Sequence, residues 1–341
     1  MSRFEIRALL PGDEQQLLDI ATHLDSVNLP ADKGRIEEIV DLSFRSFSGA
    51  IKKPTEREYV FVLVDLERQR IVGTSMVIAQ LGRRGAPYIY FDVIHEEKYS
   101  ATIDRHFHHT LLRIGYSYAG PTEIGGLVMD PAYRTAPERL GSLISYVRFL
   151  FMAAHRDLFQ DEVVAELLPP LEPDGTSHLW EALGRKFIDM SYAEADLLSK
   201  KNKEFIKGLF PDGVVYASLL PKEAQDVIGK VGAQTRGVEK MLRRIGFRYA
   251  DRVDPFDGGP HFFASMGEIH PVRDARQARI VIEPGAHGAR ALVAAEYDVP
   301  PFFKAVPASV VLDRGRVTVT PETAEALSVA ADRAVWVLPL P

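Results

Sequence analysis

The stretch Glu123–Arg148, EIGGLVMDPAYRTAPERLGSLISYVR, predicts an apolar strand, a charged turn and an amphipathic helix in direct succession. Free backbone N–H groups and the helix dipole both attract anions to the N-terminus of a helix. Arg134 and Arg139 add fixed positive charge of the kind that suits phosphate. The segment therefore predicts an anion site, and the expected anion is the pyrophosphate of a nucleotide-type cofactor. A basic but solvated surface loop is the alternative interpretation.

The composition excludes several classes of protein. The chain has 341 residues, a net charge of -6 and no cysteine. The acidic balance argues against nucleic-acid binding, and the lack of cysteine excludes a disulfide scaffold, a thiolate nucleophile and a cysteine metal site. No apolar run is long enough to span a bilayer, and the N-terminus lacks the apolar core of a signal peptide. We expect a cytoplasmic protein that binds neither membranes nor nucleic acids; a homo- or hetero-oligomer is left open.

The order of the predicted elements favours an α+β fold. Periodicity over residues 4–183 gives the order β-α-α-β-β-β-α-β-α, which fits a mixed, mostly antiparallel sheet with helices on it rather than a doubly wound one. From Ser199 the composition becomes more basic, and Lys200–Lys203 is a plausible linker. We predict three consecutive regions, namely 1–198, a second α+β lobe at 199–278 and a small strand-rich region at 279–341.

Two glutamates are candidates for acid–base chemistry. Glu123 begins the strand of the anion site and could act as a general base through a water molecule, or it could simply be solvated. Glu166 lies within an apolar strand, VVAELL. If its side chain faces inward, its pKa should rise. Pairing of Glu166 with Arg148 or Arg156 is the equally weighted alternative.

His95 and Asp257 are further candidates. A lone histidine such as His95, in VIHEE, could be an acid or a base, although a structural role is commoner. Asp257 lies in the sequence FDGGP, which is first a turn signal. A second interpretation of this turn is close backbone approach to a ligand, with Asp257 facing a cationic group of the substrate.

Six short motifs are distributed along the chain, namely FMAAHRDLF at Phe151–Phe159, VVAEL at Val163–Leu167, LGRKF at Leu183–Phe187, EAQDVIG at Glu223–Gly229, GFRY at Gly246–Tyr249 and FDGGP at Phe256–Pro260. These motifs resemble those of the arginine N-succinyltransferases, a family similar to the GNAT N-acyltransferases. The resemblance covers essentially the whole chain, and the combination of EAQDVIG with FDGGP is its most specific part.

The resemblance implies a GNAT-like N-acyltransferase fold and a specific reaction. A succinyl group would pass from succinyl-CoA to the α-amine of L-arginine by direct attack in a ternary complex. Succinyl-CoA, or another acyl-CoA, would be a co-substrate, and neither a metal nor a permanently bound cofactor is implied. The residues that the resemblance places at the acyl-CoA are Leu127, Val128, Met129, Arg134, Arg139, Leu140, Gly141 and Ser142.

The chain departs from the family pattern at two places. The turn after Arg134 reads TAPERLG, which is two residues longer than the family's turn and keeps only Gly141 of its glycines. Gly232 occupies the place of the family's proposed proton-donating histidine. His95 or Glu123 could supply the proton instead. The alternative is a GNAT-like acyl-CoA-binding protein with a different amine acceptor or little catalysis.

Overall fold

A computed structural model describes residues 3–23, 29–199 and 202–341, so Lys200 and Lys201 of the predicted linker lie outside the described residues. Its strands are β1 Phe4–Ala8, β2 Glu58–Asp65, β3 Arg70–Ile78, β4 Tyr88–Ser100, β5 Arg105–Ser117, β6 Thr122–Met129, β7 Glu162–Glu166, β8 Val214–Tyr216, β9 Arg248–Val253, β10 Pro260–Ser265, β11 Arg276–Ile282, β12 Ala289–Glu296, β13 Phe303–Asp313, β14 Arg316–Val319 and β15 Ala334–Pro339. Its helices are α1 Glu14–Ala21, α2 Lys33–Phe47, α3 Leu140–Ala154, α4 Arg185–Phe187, α5 Tyr192–Ser199, α6 Glu204–Leu209, α7 Lys222–Val227, α8 Arg236–Arg244, α9 His270–Asp274 and α10 Pro321–Ala326.

The chain forms two compact units, each assembled from separate segments. The first unit contains residues 1–80, 124–161 and 265–341, and the second contains residues 81–123 and 162–264. These limits differ from the predicted boundaries after residues 198 and 278, because strands that are distant in sequence pair with one another. The division into three consecutive regions stays a prediction.

The first unit joins an N-terminal sheet to a small C-terminal barrel. Its strand order is β12-β15-β11-β14-β13-β1-β2-β3-β6, and β12 also pairs with β13, which closes the five C-terminal strands on themselves. Strand β13 pairs with β1 of the N-terminal sheet and with β12 of the barrel. Its residue Ala305 lies opposite Ile6 of β1 on one side and opposite Ala294 of β12 on the other. The strand-rich C-terminal segment is thus hydrogen-bonded directly to the N-terminal sheet.

Strand β2 explains how the first unit is layered. Its sequence, EYVFVLVD, is apolar without alternation, which is typical of a strand covered on both faces. Val62 lies in the core that α1 and α2 form, whereas Phe61 packs edge-on against Phe151 of α3, with 5.4 Å between ring centroids. Helix α3, which carries the predicted anion site at its N-terminus, is therefore fixed against the sheet.

The second unit is built around a long hairpin. Strands β4 and β5 pair in register from Tyr88 opposite Ser117 to Ser100 opposite Arg105. The strand order is β7-β10-β9-β4-β5-β8. Trp180 stacks on Phe256 at 5.1 Å between ring centroids in its core. The expected α+β class is confirmed, and none of the described helices is long and apolar enough to cross a membrane.

Candidate functional site

The middle of β6 exposes its backbone. Gly125, Gly126 and Leu127 are partly exposed, whereas Val128 and Met129 are buried. Gly126 has a φ of +55°, a left-handed conformation that favours glycine, and a Cβ there would lie 2.9 Å from Cγ of Met76. Gly125–Leu127 are thus the solvent-accessible part of the strand, and contact with an extended ligand arm stays a prediction.

The turn between β6 and α3 is shaped by its own residues. Asp130 accepts a hydrogen bond from the Ala132 N–H at 2.9 Å, and Arg134 Nε donates to the carbonyl oxygen of Met129 at 3.3 Å. Arg139 begins α3 from the left-handed conformation, with a φ of +55° and no side-chain cap. Both arginine side chains are exposed, so their charges are available to a ligand.

The N-terminus of α3 has the properties of an anion site. The Ser142 N–H already donates to the carbonyl oxygen of Arg139 at 2.9 Å, whereas the N–H groups of Leu140 and Gly141 have no acceptor among the described residues. A Cβ at Gly141 would meet only Cγ of Met129, at 4.0 Å, so the first turn of the helix is loosely packed at Gly141. The longer turn thus retains two free amides at the start of a 15-residue helix.

A third arginine, which the sequence did not indicate, reaches this turn. Arg290 of β12 donates from Nη2 to the carbonyl oxygen of Glu138, the residue before Arg139. Arg290 and Glu138 are 152 residues apart in the sequence, so no local sequence pattern could predict this contact. The C-terminal barrel therefore helps to hold the turn in place.

Arg148 is a buried cation on the inner side of α3. Its side chain is 2% exposed, and it donates to Ser145 Oγ at 2.7 Å and to the carbonyl oxygen of Gly125 at 3.3 Å. Burial lowers the pKa of Arg148 to about 9, so the guanidinium remains positively charged at neutral pH. Arg156 forms an ion pair with Asp161 at 3.0 Å. Both arginines that the sequence suggested as partners of Glu166 therefore have other hydrogen-bond or ion-pair partners.

Two glutamates of the second unit project from the same face of its sheet. Glu123 of β6 pairs in parallel with Val164 of β7, and Glu166 lies two residues beyond Val164. Because alternate residues of a strand share a face, Glu123 and Glu166 are neighbours. Glu123 is 5% exposed, so the interpretation of a simply solvated residue is wrong.

The carboxyl group of Glu166 is strongly perturbed. Burial raises its pKa well above the usual range, and the negative charges of Glu123 and Asp254 raise it further. Its side chain is nevertheless 32% exposed, so Glu166 is open to solvent on one side. The direction of this shift is the one expected for a buried carboxyl group, although Glu166 does not face wholly inward, and its functional role stays a prediction.

His261 lies directly beside Glu166. The ring is fully buried, and its Nδ1 shares a hydrogen bond with the Tyr88 hydroxyl at 2.7 Å. Its Nε2 has no hydrogen-bond partner and lies 3.6 Å from Oε1 of Glu166. Burial, with the charges of Lys203 and Arg252, lowers the pKa of His261 to about 3, so the ring is neutral at neutral pH.

Asp254 joins these two residues. One carboxylate oxygen of Glu166, one of Asp254 and one ring nitrogen of His261 all lie within 4.8 Å of one another. Asp254 Oδ1 accepts the N–H groups of Phe256 at 2.7 Å and Asp257 at 3.3 Å. Burial raises the pKa of Asp254. We call Glu166, Asp254 and His261 the acidic trio.

Asp257 itself holds the FDGGP turn together. Its Oδ1 accepts the Gly259 N–H at 2.7 Å, and its Oδ2 accepts the Tyr192 hydroxyl at 3.2 Å. Burial and the charge of Asp254 raise its pKa well above the usual range. The Gly229 N–H donates to the carbonyl oxygen of Gly258 at 2.9 Å, so EAQDVIG and FDGGP are in direct contact.

Gly232 and His95 lie in different surroundings. The Gly232 N–H donates to the carbonyl oxygen of Leu168 at 2.8 Å, and a Cβ there would lie 2.6 Å from the carbonyl oxygen of Pro169. The position therefore has no room for a side chain. His95 is exposed on the hairpin, opposite Thr110. The structure thus clusters Glu123 with Glu166, Asp254 and Asp257, whereas it leaves His95 facing solvent.

The fold and the strand–turn–helix anion site define a GNAT-like, acyl-CoA-dependent N-acyltransferase. The chain belongs to the family described as arginine N-succinyltransferase beta subunit, whose profile matches residues 4–271. It is 32% identical to the arginine N-succinyltransferase of Yersinia pseudotuberculosis over 349 residues, with 97% of each chain covered. It is also 32% identical to the Escherichia coli protein of that name over 290 residues, which cover 83% of this chain and 82% of that one.

A solved structure agrees with this family over the whole chain. The arginine/ornithine succinyltransferase subunit AI of Pseudomonas aeruginosa superposes with a TM-score of 0.84 at 27% identity, covering 99% of both chains. The expected family and the GNAT-like fold are confirmed.

Proposed function

We propose that this protein transfers a succinyl group from succinyl-CoA to the α-amine of L-arginine. The observation that carries the proposal is the family match over residues 4–271, with relatives of that name aligned over nearly the full length. The amine nitrogen attacks the thioester carbonyl carbon, the C–S bond breaks, the ammonium loses its proton and the CoA thiolate gains one.

The proposed acyl-CoA site uses the open strand and the turn. The pantetheine arm runs beside Leu127, Val128 and Met129 and pairs with their backbone. The free N–H groups of Leu140 and Gly141 receive the pyrophosphate, together with Ser142. Arg134 and Arg139 add positive charge from the turn.

Arg148 supports succinyl-CoA over uncharged acyl donors. A buried guanidinium with only hydroxyl and carbonyl acceptors is costly, and an anionic ligand group would offset that cost. Arg148 also contacts the carbonyl oxygen of Gly125, next to the proposed pantetheine path. We assign the free carboxylate of the succinyl group to this guanidinium.

Glu123 is the proposed proton acceptor. Its burial and its position beside Glu166 suit a group that takes a proton from the ammonium of the acceptor. His95 remains the second candidate, and its exposed position on the hairpin supports it less. The structure gives Gly232 no proton-transfer role, because it has no side chain and no room for one.

The test is an assay of free thiol release from succinyl-CoA and acetyl-CoA with arginine, ornithine and lysine. We expect release with succinyl-CoA and arginine, and mass spectrometry should show N-succinylarginine. Tight succinyl-CoA binding without thiol release from any amine would favour the acyl-CoA-binding alternative. The cytoplasmic location and an assembly with further subunits stay predictions.

A further inference from the structure

The acidic trio contains a buried ring nitrogen that has no hydrogen-bond partner. His261 Nε2 is fully buried and unpartnered, and it points toward Glu166. Glu166 Oε1 lies 3.6 Å from this nitrogen, which is too far for a hydrogen bond, and Asp254 uses Oδ1 to accept the N–H groups of Phe256 and Asp257. A fully buried ring nitrogen without a partner is costly unless a ligand satisfies it.

The charge at the trio calls for a cation. The negative charges of Glu123, Asp254 and Asp257 act on Glu166, and among the described residues the charge of Lys203 partly offsets them. His261 is neutral, so it adds no positive charge to the pocket. The partly exposed Glu166 provides access from solvent, whereas both oxygens of Asp257 are engaged, one within the turn and one by Tyr192 of α5.

We propose that Glu166, Asp254 and His261 bind the guanidinium group of the acceptor amino acid. This inference rests on the proposed function and identifies the pocket that selects its acceptor. A guanidinium is planar and carries five N–H donors, so it can donate to two carboxylates and a ring nitrogen at once. When His261 Nδ1 donates its proton to the Tyr88 oxygen, Nε2 presents the lone pair that this ligand needs.

A monovalent organic cation fits better than a divalent metal. The ammonium of Lys203 lies close enough to act electrostatically on Glu166, Asp254 and His261. That resident charge opposes a divalent ion more strongly than a delocalised monovalent one. The trio therefore favours a guanidinium, and metal binding is the competing outcome of the test.

The first experiment uses the wild-type protein, so it does not depend on any variant folding. Calorimetric titration compares arginine with citrulline, which has the same shape but a neutral ureido group, and with agmatine, which keeps the guanidinium but lacks the carboxylate. Arginine and agmatine should bind, and citrulline should bind at least 10-fold more weakly, because its neutral group cannot pair with the carboxylates. Equal binding of citrulline and arginine, or stabilisation by Zn²⁺ that arginine does not compete with, would overturn the proposal.

The second experiment locates the pocket. Glu166→Gln should raise the dissociation constant of arginine about 10- to 100-fold, the range expected when a charged hydrogen bond is lost, while succinyl-CoA binding is unchanged. Glu162→Gln, an exposed residue of the same strand, is the matched control. If Glu166→Gln keeps the wild-type arginine affinity, the assignment fails even though succinyl transfer may stand by its own assay. If guanidines bind but thiol release is absent, the proposed reaction fails and the pocket remains.

Discussion

The backbone N–H of Gly232 donates to the carbonyl oxygen of Leu168 at 2.8 Å, which holds the segment after α7 against the chain that leaves β7. A Cβ at Gly232 would lie 2.6 Å from the backbone oxygen of Pro169. Glycine at this position is therefore a packing requirement of the second unit, and the proton chemistry of the site must come from other residues.

Gly232→Ala should destabilise the protein by about 1–3 kcal/mol, because the added methyl group must displace backbone atoms. Gly232→His should be at least as destabilising and should bring no gain in thiol release. Gly237→Ala is the control, because a Cβ at Gly237 meets nothing within 4 Å. Urea unfolding would measure all three, and a stable Gly232→His variant with increased turnover would contradict this account.

Arg139→Gly should separate charge from backbone conformation. Arg139 has a φ of +55°, so glycine relieves strain and should stabilise the fold by about 1 kcal/mol, while loss of the side chain should weaken succinyl-CoA binding about 10-fold. Arg314→Gly is a close control, because Arg314 has a φ of +42° on an exposed turn of the C-terminal barrel. Thermal unfolding would measure stability, and titration would measure succinyl-CoA affinity. Both should change in Arg139→Gly, whereas only stability should change in Arg314→Gly.

Arg148→Met tests the assignment of the succinyl carboxylate. Removing a buried charge in favour of an apolar side chain should leave stability unchanged or raise it by about 1–4 kcal/mol. The KM for succinyl-CoA should rise about 10- to 100-fold, whereas that for acetyl-CoA should stay the same. Equal effects on both donors would show that Arg148 has only a structural role.

Glu123→Gln tests the proposed proton acceptor. Loss of general base catalysis should reduce kcat by about 10²- to 10⁴-fold with little change in the succinyl-CoA dissociation constant. A nucleophile that needs no deprotonation, such as hydroxylamine at neutral pH, should be affected less. His95→Gln is the comparison, and a larger loss there than in Glu123→Gln would transfer the role to His95.

Stability should depend on pH through His261. Its folded pKa of about 3 lies below the unfolded value of about 6.5, so the unfolded chain binds a proton that the folded one excludes. The free energy of unfolding should therefore be highest above pH 6.5 and fall by roughly 3–5 kcal/mol as the pH drops toward 3. His261→Gln should flatten that part of the profile, and an unchanged slope in the variant would contradict the assignment.

Glu166 should contribute with the opposite sign. Its pKa is raised in the folded state, so the folded chain holds a proton that the unfolded chain releases above about pH 4.5. Stability from this group is present below that pH and lost as the pH rises. Glu166→Gln should consequently stabilise the ligand-free protein at neutral pH, in a direct comparison by urea unfolding.

The sequence alone determined the local elements and the family. The apolar strand, basic turn and helix of residues 123–148 were predictable, because hydrophobic periodicity and helix-start signals act within a few residues. The motifs EAQDVIG and FDGGP identified the family for the same reason, since each is a short continuous run.

Tertiary structure decided which distant residues share an environment. Arg290 meets the turn at Glu138, and Tyr88 meets His261, across 152 and 173 residues. Burial also matters, because the pKa of Glu166 depends on desolvation and on the charges of Glu123 and Asp254, which are distant in sequence. Desolvation and the distance between charges are properties of three-dimensional packing. No linear pattern could therefore have shown that a side chain at Gly232 would clash with the backbone, or that Glu166 and His261 lie next to each other.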